Sequence, residues 1–143
     1  MQMTELDPQN ISAAAGVIPE NTPFVMLNLL RYKQHADYGD RTDFGPRSGR
    51  EAYHQGYRPA FGEVAARLES AKGIRPLFLG TVLASLVGPT DEPWDEVALV
   101  EYPSFAAFRS ITESLEYKRD AAPHREAALE NWRLIAMLSQ SLS

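Results

Sequence analysis

Alternating side chains define two strands. The first is Pro23-Phe24-Val25-Met26-Leu27-Asn28-Leu29-Leu30-Arg31-Tyr32, in which Phe24, Met26, Asn28, Leu30 and Tyr32 share one face. The second runs from Trp94 through Val97, Leu99, Glu101 and Tyr102 to Ser104. Asn28 is an amide set into an apolar face. It needs a partner, because a buried polar group left unsatisfied costs about 1–3 kcal/mol.

Between these strands the period lengthens. Tyr53, Tyr57, Phe61, Val64, Leu68 and Ala71 recur at steps of three and four and predict a helix over Arg50–Lys72. Pro59 calls for a kink or restart inside it, and Gly73 is a fitting stop. Ile74–Val87 reads as a strand with a bulge or bend at Gly80, and Gly88 to Pro93 as a turn. Ser104 caps a second helix carrying Phe105, Phe108 and Ile111 on one face, with Leu115 a further candidate for it, and Pro123 breaks the stretch that follows. A turn over Glu126–Glu130 leads to Trp132–Leu138, apolar enough for a strand although periodicity also allows helix. Ahead of all this, residues 1–22 form an extension with a weak helix at Pro8–Ala15. Residues 33–50 form a long loop of mixed charge that suits a lid, an arm or an interface.

The order is β-α-β-β-α-β, and the expected fold is α+β: a ferredoxin-like antiparallel sheet with two helices on one face. The other sheet face is also apolar, so a second copy of the chain is the simplest cover, and a homodimer is expected. At 143 residues the chain suits one domain over 1–143. Its net charge of −5 argues against nucleic acid as a partner. No apolar run is long enough for a membrane helix and the N-terminus lacks signal-peptide character, so a cytoplasmic location is expected. Cysteine is absent, which excludes disulfides, thiolate nucleophiles and thiolate metal sites. There is no phosphate-binding glycine pattern and no nucleophile elbow. The three histidines are scattered; His54 and Glu51 share a helix without a further ligand, so no metal site is expected.

Several segments together resemble the family called domain of unknown function 1330, within the dimeric α/β-barrel superfamily. They are Met26-Leu27-Asn28-Leu29-Leu30-Arg31, Tyr53 with Tyr57, Gly88-Pro89 followed by Trp94-Asp95-Glu96-Val97, Glu101-Tyr102-Pro103-Ser104, Glu116-Tyr117 and the stretch Arg125–Arg133. The resemblance spans about residues 20–138. It implies a dimeric α/β barrel with a pocket between sheet and helices in each protomer. More distantly, the superfamily holds cofactor-free monooxygenases, haem-degrading monooxygenases, and small isomerases and cyclases. Asn28 matches the first-strand Asn of several of these monooxygenases, and Tyr102 is similar to their third-strand aromatic partner. Where the haem enzymes carry a histidine this chain has Ala121, with His124 displaced beyond it.

The residues support the following candidates. Asn28 could donate to a carbonyl, enolate or oxyanion, or be a satisfied buried amide. Tyr53 and Tyr57, one turn apart, could present phenols to a ligand or pack as core, and Tyr102 and Tyr117 stand likewise. His124 beside Arg125 could be an acid/base group, or a surface histidine. Arg31 and Arg133 could grip a carboxylate bidentately, or pair with acids such as Glu101 or Glu130. The expected function is that of a small homodimer with an apolar pocket for a small aromatic or oxygenated molecule. A cofactor-free monooxygenase, isomerase or cyclase fits, with Asn28, Tyr102 and His124 catalytic and Arg31, Tyr53, Tyr57, Tyr117 and Arg133 binding ligand. The alternative is a non-catalytic ligand-binding or structural dimer.

Overall fold

In the computed structural model, which describes residues 2–142, β1 (Phe24–Tyr32), β2 (Arg75–Thr81), β3 (Glu96–Tyr102) and β4 (Leu129–Met137) form one antiparallel sheet in the order β2-β3-β1-β4. The chain is α+β. Pairing of β1 with β3 sets Phe24 opposite Tyr102, Met26 opposite Val100, Asn28 opposite Ala98 and Leu30 opposite Glu96. On its other side β1 meets β4, with Leu134 opposite Asn28 and Trp132 opposite Leu30. These residues make the inner face, where Phe24, Met26, Leu30, Tyr102 and Trp132 join the helices in one core. The last segment is therefore a strand, beginning three residues earlier than its apolar run.

Alternation sends Leu27, Leu29, Val97 and Leu99 to the outer face, where they are half-buried. Ile135 and Phe78, paired with Leu27 and Leu99, keep 47% and 55% of their surface exposed.

The helices are α1 (Pro8–Ala15), α2 (Gly49–Glu51), α3 (Arg58–Ala66), α4 (Phe105–Thr112) and α5 (Ala122–Ala128). Two π-helical segments, Ala52–Tyr57 and Tyr117–Ala121, run directly into α3 and α5. Each ends two residues before a proline. The widened turn bonds the Arg58 amide to Tyr53 and the Ala122 amide to Tyr117, and so absorbs the donor that Pro59 or Pro123 lacks. The helix restarts at Arg58 with Pro59 in its first turn, as the sequence expects, whereas Pro123, expected to break the chain, instead sits in the first turn of α5; α4 ends at Thr112, before the exposed Leu115. The first long helix ends at Ala66; Leu68 lies beyond it and Ala71 belongs to a separate short turn.

The predicted strand through Val87 stops at Thr81, and Leu83, Leu86 and Val87 are all more than 90% exposed. Its irregularity falls between Pro76 and Phe78, whereas Gly80 pairs regularly beneath the Phe78 ring. The long loop folds onto its own chain: Gly49 donates to the Lys33 carbonyl, Ala36 to Arg47 and Asp37 to Ala127. In the N-terminal extension, α1 is capped by Asp7 and packs Ile11 and Ala14 against the core. No helix among the described residues is long and apolar enough to cross a membrane.

Candidate functional site

A cleft of about 460 Å³ opens between the inner sheet face and α3. Asn28 and Ala98 form part of its floor, Tyr53, Tyr57 and Phe61 project from the helical run, and Val100 and Tyr102 come from β3. The size is that of a small-molecule site, and the wall is mostly apolar with a few polar groups. A larger depression, about 720 Å³, separates the N-terminal segment from the β4 edge, but Asn28 and the tyrosines do not line it.

Asn28 is fixed from behind. The Trp132 indole donates to its Oδ1 at 3.1 Å, which assigns the amide's orientation. Its Nδ2 has only a 3.5 Å approach to the Ala98 carbonyl, too long to occupy an NH2 group fully. The amide thus offers donor capacity to the cleft. Tyr57 reaches Tyr117 hydroxyl to hydroxyl at 3.0 Å, and Arg125 donates to the Tyr117 oxygen at 2.7 Å. Burial raises the phenols of Tyr53, Tyr57 and Tyr102 well above the usual tyrosine value, with neighbouring phenols adding to the effect. All three stay protonated at neutral pH, so each brings a neutral phenol that can donate or accept and not a phenolate base.

The other sequence candidates lie elsewhere. Tyr117 is one hydrogen bond behind Tyr57 and does not line the cleft. His124 packs against Gly56 and the long loop, its Nδ1 sharing a hydrogen bond with the Tyr38 hydroxyl at 2.7 Å and its ring meeting Phe44 at 4.7 Å. Burial, then Arg47 and Arg41, hold it below its ordinary value, so it is a neutral latch for the loop and not an acid in the cleft. Arg31 and Arg133 sit at outward-facing positions of β1 and β4, away from the cleft. Arg133 pairs with Glu92 at 2.8 Å and lies over Trp94, and Glu101 is taken by Arg75. Arg125 is buried, donates to Tyr117 and Glu5, and lies over the Trp132 ring.

A second polar cluster escaped the sequence reading. Glu96 is 3% exposed and accepts from the Tyr32 hydroxyl at 2.6 Å, His54 Nε2 at 2.7 Å and Arg50 Nε at 2.8 Å. Burial alone would raise its carboxyl; hydrogen bonds from Tyr32 and His54 and the Arg50 contact more than offset this and hold it below the usual value. His54 therefore pairs with Glu96. Glu51, its sequence neighbour, is used in a capping box with Ser48. Among the described residues no group of three or more His, Cys, Asp or Glu side chains could hold a metal ion. The signal that could have found the cluster was Glu96 itself, an acid on the inner face opposite Leu30.

The chain is similar to a crystal structure of a protein of unknown function, RPA0582 from Rhodopseudomonas palustris. The two are 33% identical with a TM-score of 0.82, and the match covers 99% of each chain. The chain belongs to the family of RPA0582. The methylated form of that protein matches equally well, at 33% identity and TM-score 0.82 over 99% of this chain and 97% of that one. No protein-family model matches the sequence, and neither does any curated protein.

Proposed function

We propose that each copy of this chain binds a small, largely apolar organic molecule in the cleft, with an oxygen of the ligand held by the Asn28 amide. The single observation that carries this reading is the state of Asn28: Trp132 commits its oxygen, and its NH2 faces a cleft walled by Tyr53, Tyr57 and Tyr102. Such a pre-set donor stabilises negative charge developing on a carbonyl oxygen. Cofactor-free oxygenation by dioxygen, isomerisation or cyclisation are the reaction classes this suits. Binding without turnover is the second reading. It is favoured by the cleft wall, which holds neither carboxylate nor imidazole to remove a proton.

The assembly belongs to the same proposal. The strand order β2-β3-β1-β4 and the helical runs packed on one sheet face fit a ferredoxin-like fold, and the quoted motifs fit the domain of unknown function 1330 family. Ile135, Met137 and Phe78 leave apolar surface on the outer face, and Leu83, Leu86 and Val87, which follow β2, are almost wholly exposed. A second copy would bury both, giving a dimeric α/β barrel in the cytoplasm.

The test is a thermal-shift screen of small aromatic and oxygenated molecules, followed by calorimetric titration of hits. Gly62 lines the cleft, and a Cβ added there meets no atom within 4 Å, so Gly62→Leu is the variant chosen to fill the space. Hits should lose affinity in Gly62→Leu and in Asn28→Leu. Hits indifferent to both variants would sink the reading.

A further inference from the structure

The cleft carries charge of one sign only. Arg58 and Lys72 are its charged wall residues, and no acidic side chain lines it, although the chain as a whole has a net charge of −5. Lys72 is engaged at the surface by Glu69 at 3.0 Å. Arg58 is held differently. Its Nη1 lies 3.1 Å from His54 Nδ1, and since a guanidinium only donates, Nδ1 must accept. The ring proton then sits on Nε2 and is donated to Glu96 at 2.7 Å. Glu96 is anchored in turn by Tyr32 and Arg50.

A buried carboxylate thus sets the tautomer of an imidazole, and the imidazole sets a guanidinium at the cleft. Nε and Nη2 of Arg58 have no hydrogen-bond partner among the described residues. The positive charge also reaches the interior, where it works against the burial that raises the Tyr53 phenol.

We infer that the ligand of this cleft is a small organic anion: an apolar body lying among Phe61, Val100 and the tyrosines, with a carboxylate or sulfonate head gripped by Nε and Nη2 of Arg58. His54 is a positioning residue for that grip. The inference rests on the reading of the cleft as a ligand site and adds the charge of the ligand. Planar guanidinium donors suit a two-oxygen head in a way Lys72 does not.

Two fluorescent probes test it, 8-anilinonaphthalene-1-sulfonate and N-phenyl-1-naphthylamine, which share a body and differ by the sulfonate. Both are titrated at one ionic strength into wild type, Arg58→Gln, His54→Gln and Gly62→Leu. Binding that survives Gly62→Leu is assigned to the outer sheet face and subtracted. The sulfonated probe should bind the cleft about tenfold more tightly, the value of one charge-assisted contact. Arg58→Gln should abolish the preference while leaving the neutral probe within about twofold, and His54→Gln should reduce it in the same selective way. Equal cleft binding of the two probes in wild type, or equal loss of both in Arg58→Gln, overturns the inference and leaves the cleft a ligand site. A preference that depends on Arg58 but not on His54 overturns the positioning role. Absence of any binding sensitive to Gly62→Leu overturns both readings.

Discussion

Replacing Glu96 by Gln removes a charge and almost no volume. The carboxylate accepts from Tyr32 and His54 through Oε1 and from Arg50 through Oε2. In Glu96→Gln the amide oxygen must serve Tyr32 and His54, and the NH2 turns toward Arg50, which is itself a donor. The Arg50 side chain is 62% exposed and swings into water, so that contact forfeits no more than about 1 kcal/mol. The other two bonds change from charge-assisted to neutral, a loss of roughly 1 kcal/mol each. The expected destabilisation at pH 7 is about 2–3 kcal/mol, or roughly 4–12 °C in Tm for a chain of this size.

Linkage adds a second reading of the same variant. The folded carboxyl titrates below its ordinary value of 4.5, so its stabilisation is present above about pH 4.5 and is lost as pH falls through the folded value. Urea titrations of wild type and Glu96→Gln at one protein concentration, from pH 7 downward, should show the gap closing below pH 4.5. A gap under about 0.5 kcal/mol at pH 7, or one that does not change with pH, would refute the cluster's stabilising role.

Gly49→Ala should cost about 3 kcal/mol or more, because the added Cβ meets the backbone of Lys33 and the Ala128 carbonyl at 2.6 Å, neither of which can turn aside. Urea denaturation checks it, and a loss below about 1 kcal/mol would show that the loop base is loosely held. His124→Ala should release Tyr38 and Phe44 and expose residues 33–48 to limited proteolysis. Because the folded imidazole lies below its ordinary 6.5, the docked loop should also lose stability as pH falls from about 6.5, and proteolysis that is unchanged between pH 7.5 and 5.5 would contradict the latch. Ile135→Glu, at an exposed position of the outer face, should weaken a homodimer by roughly 100-fold or more, since the two-fold repeats each apolar loss. Light scattering coupled to size exclusion reads this, and wild type running as a monomer would end the dimer proposal.

Much of this molecule is legible along the chain. The period-2 runs placed β1 and β3, with Phe24, Met26, Asn28 and Leu30 on one face, and the period-3.6 stripe placed Tyr53, Tyr57 and Phe61 together over that face. These are local regularities, and burial of one face enforces them. The misplaced residues share a cause. Pro123 reads as a break because proline removes a donor, yet the π turn before it supplies another way to close the ladder, as one does before the restart at Pro59. Val82 to Val87 reads as strand by composition, but after Val82 donates to the Asp95 carbonyl the β3 strand offers no further partner.

The chemistry of the cleft divides along the same line. Residue type and alternation by themselves determined that an amide sits in an apolar layer beside tyrosines on a helix. Only the tertiary structure decided what that amide does, because Trp132 is 104 residues away from Asn28 in sequence and only the pairing of β4 with β1 brings the indole to it. The same holds for His124, drawn to the loop by Tyr38, and for His54, drawn to Glu96 by the end of β3. A side chain's type is local, but its partner is chosen by strand register and helix docking, which bring together residues distant in sequence.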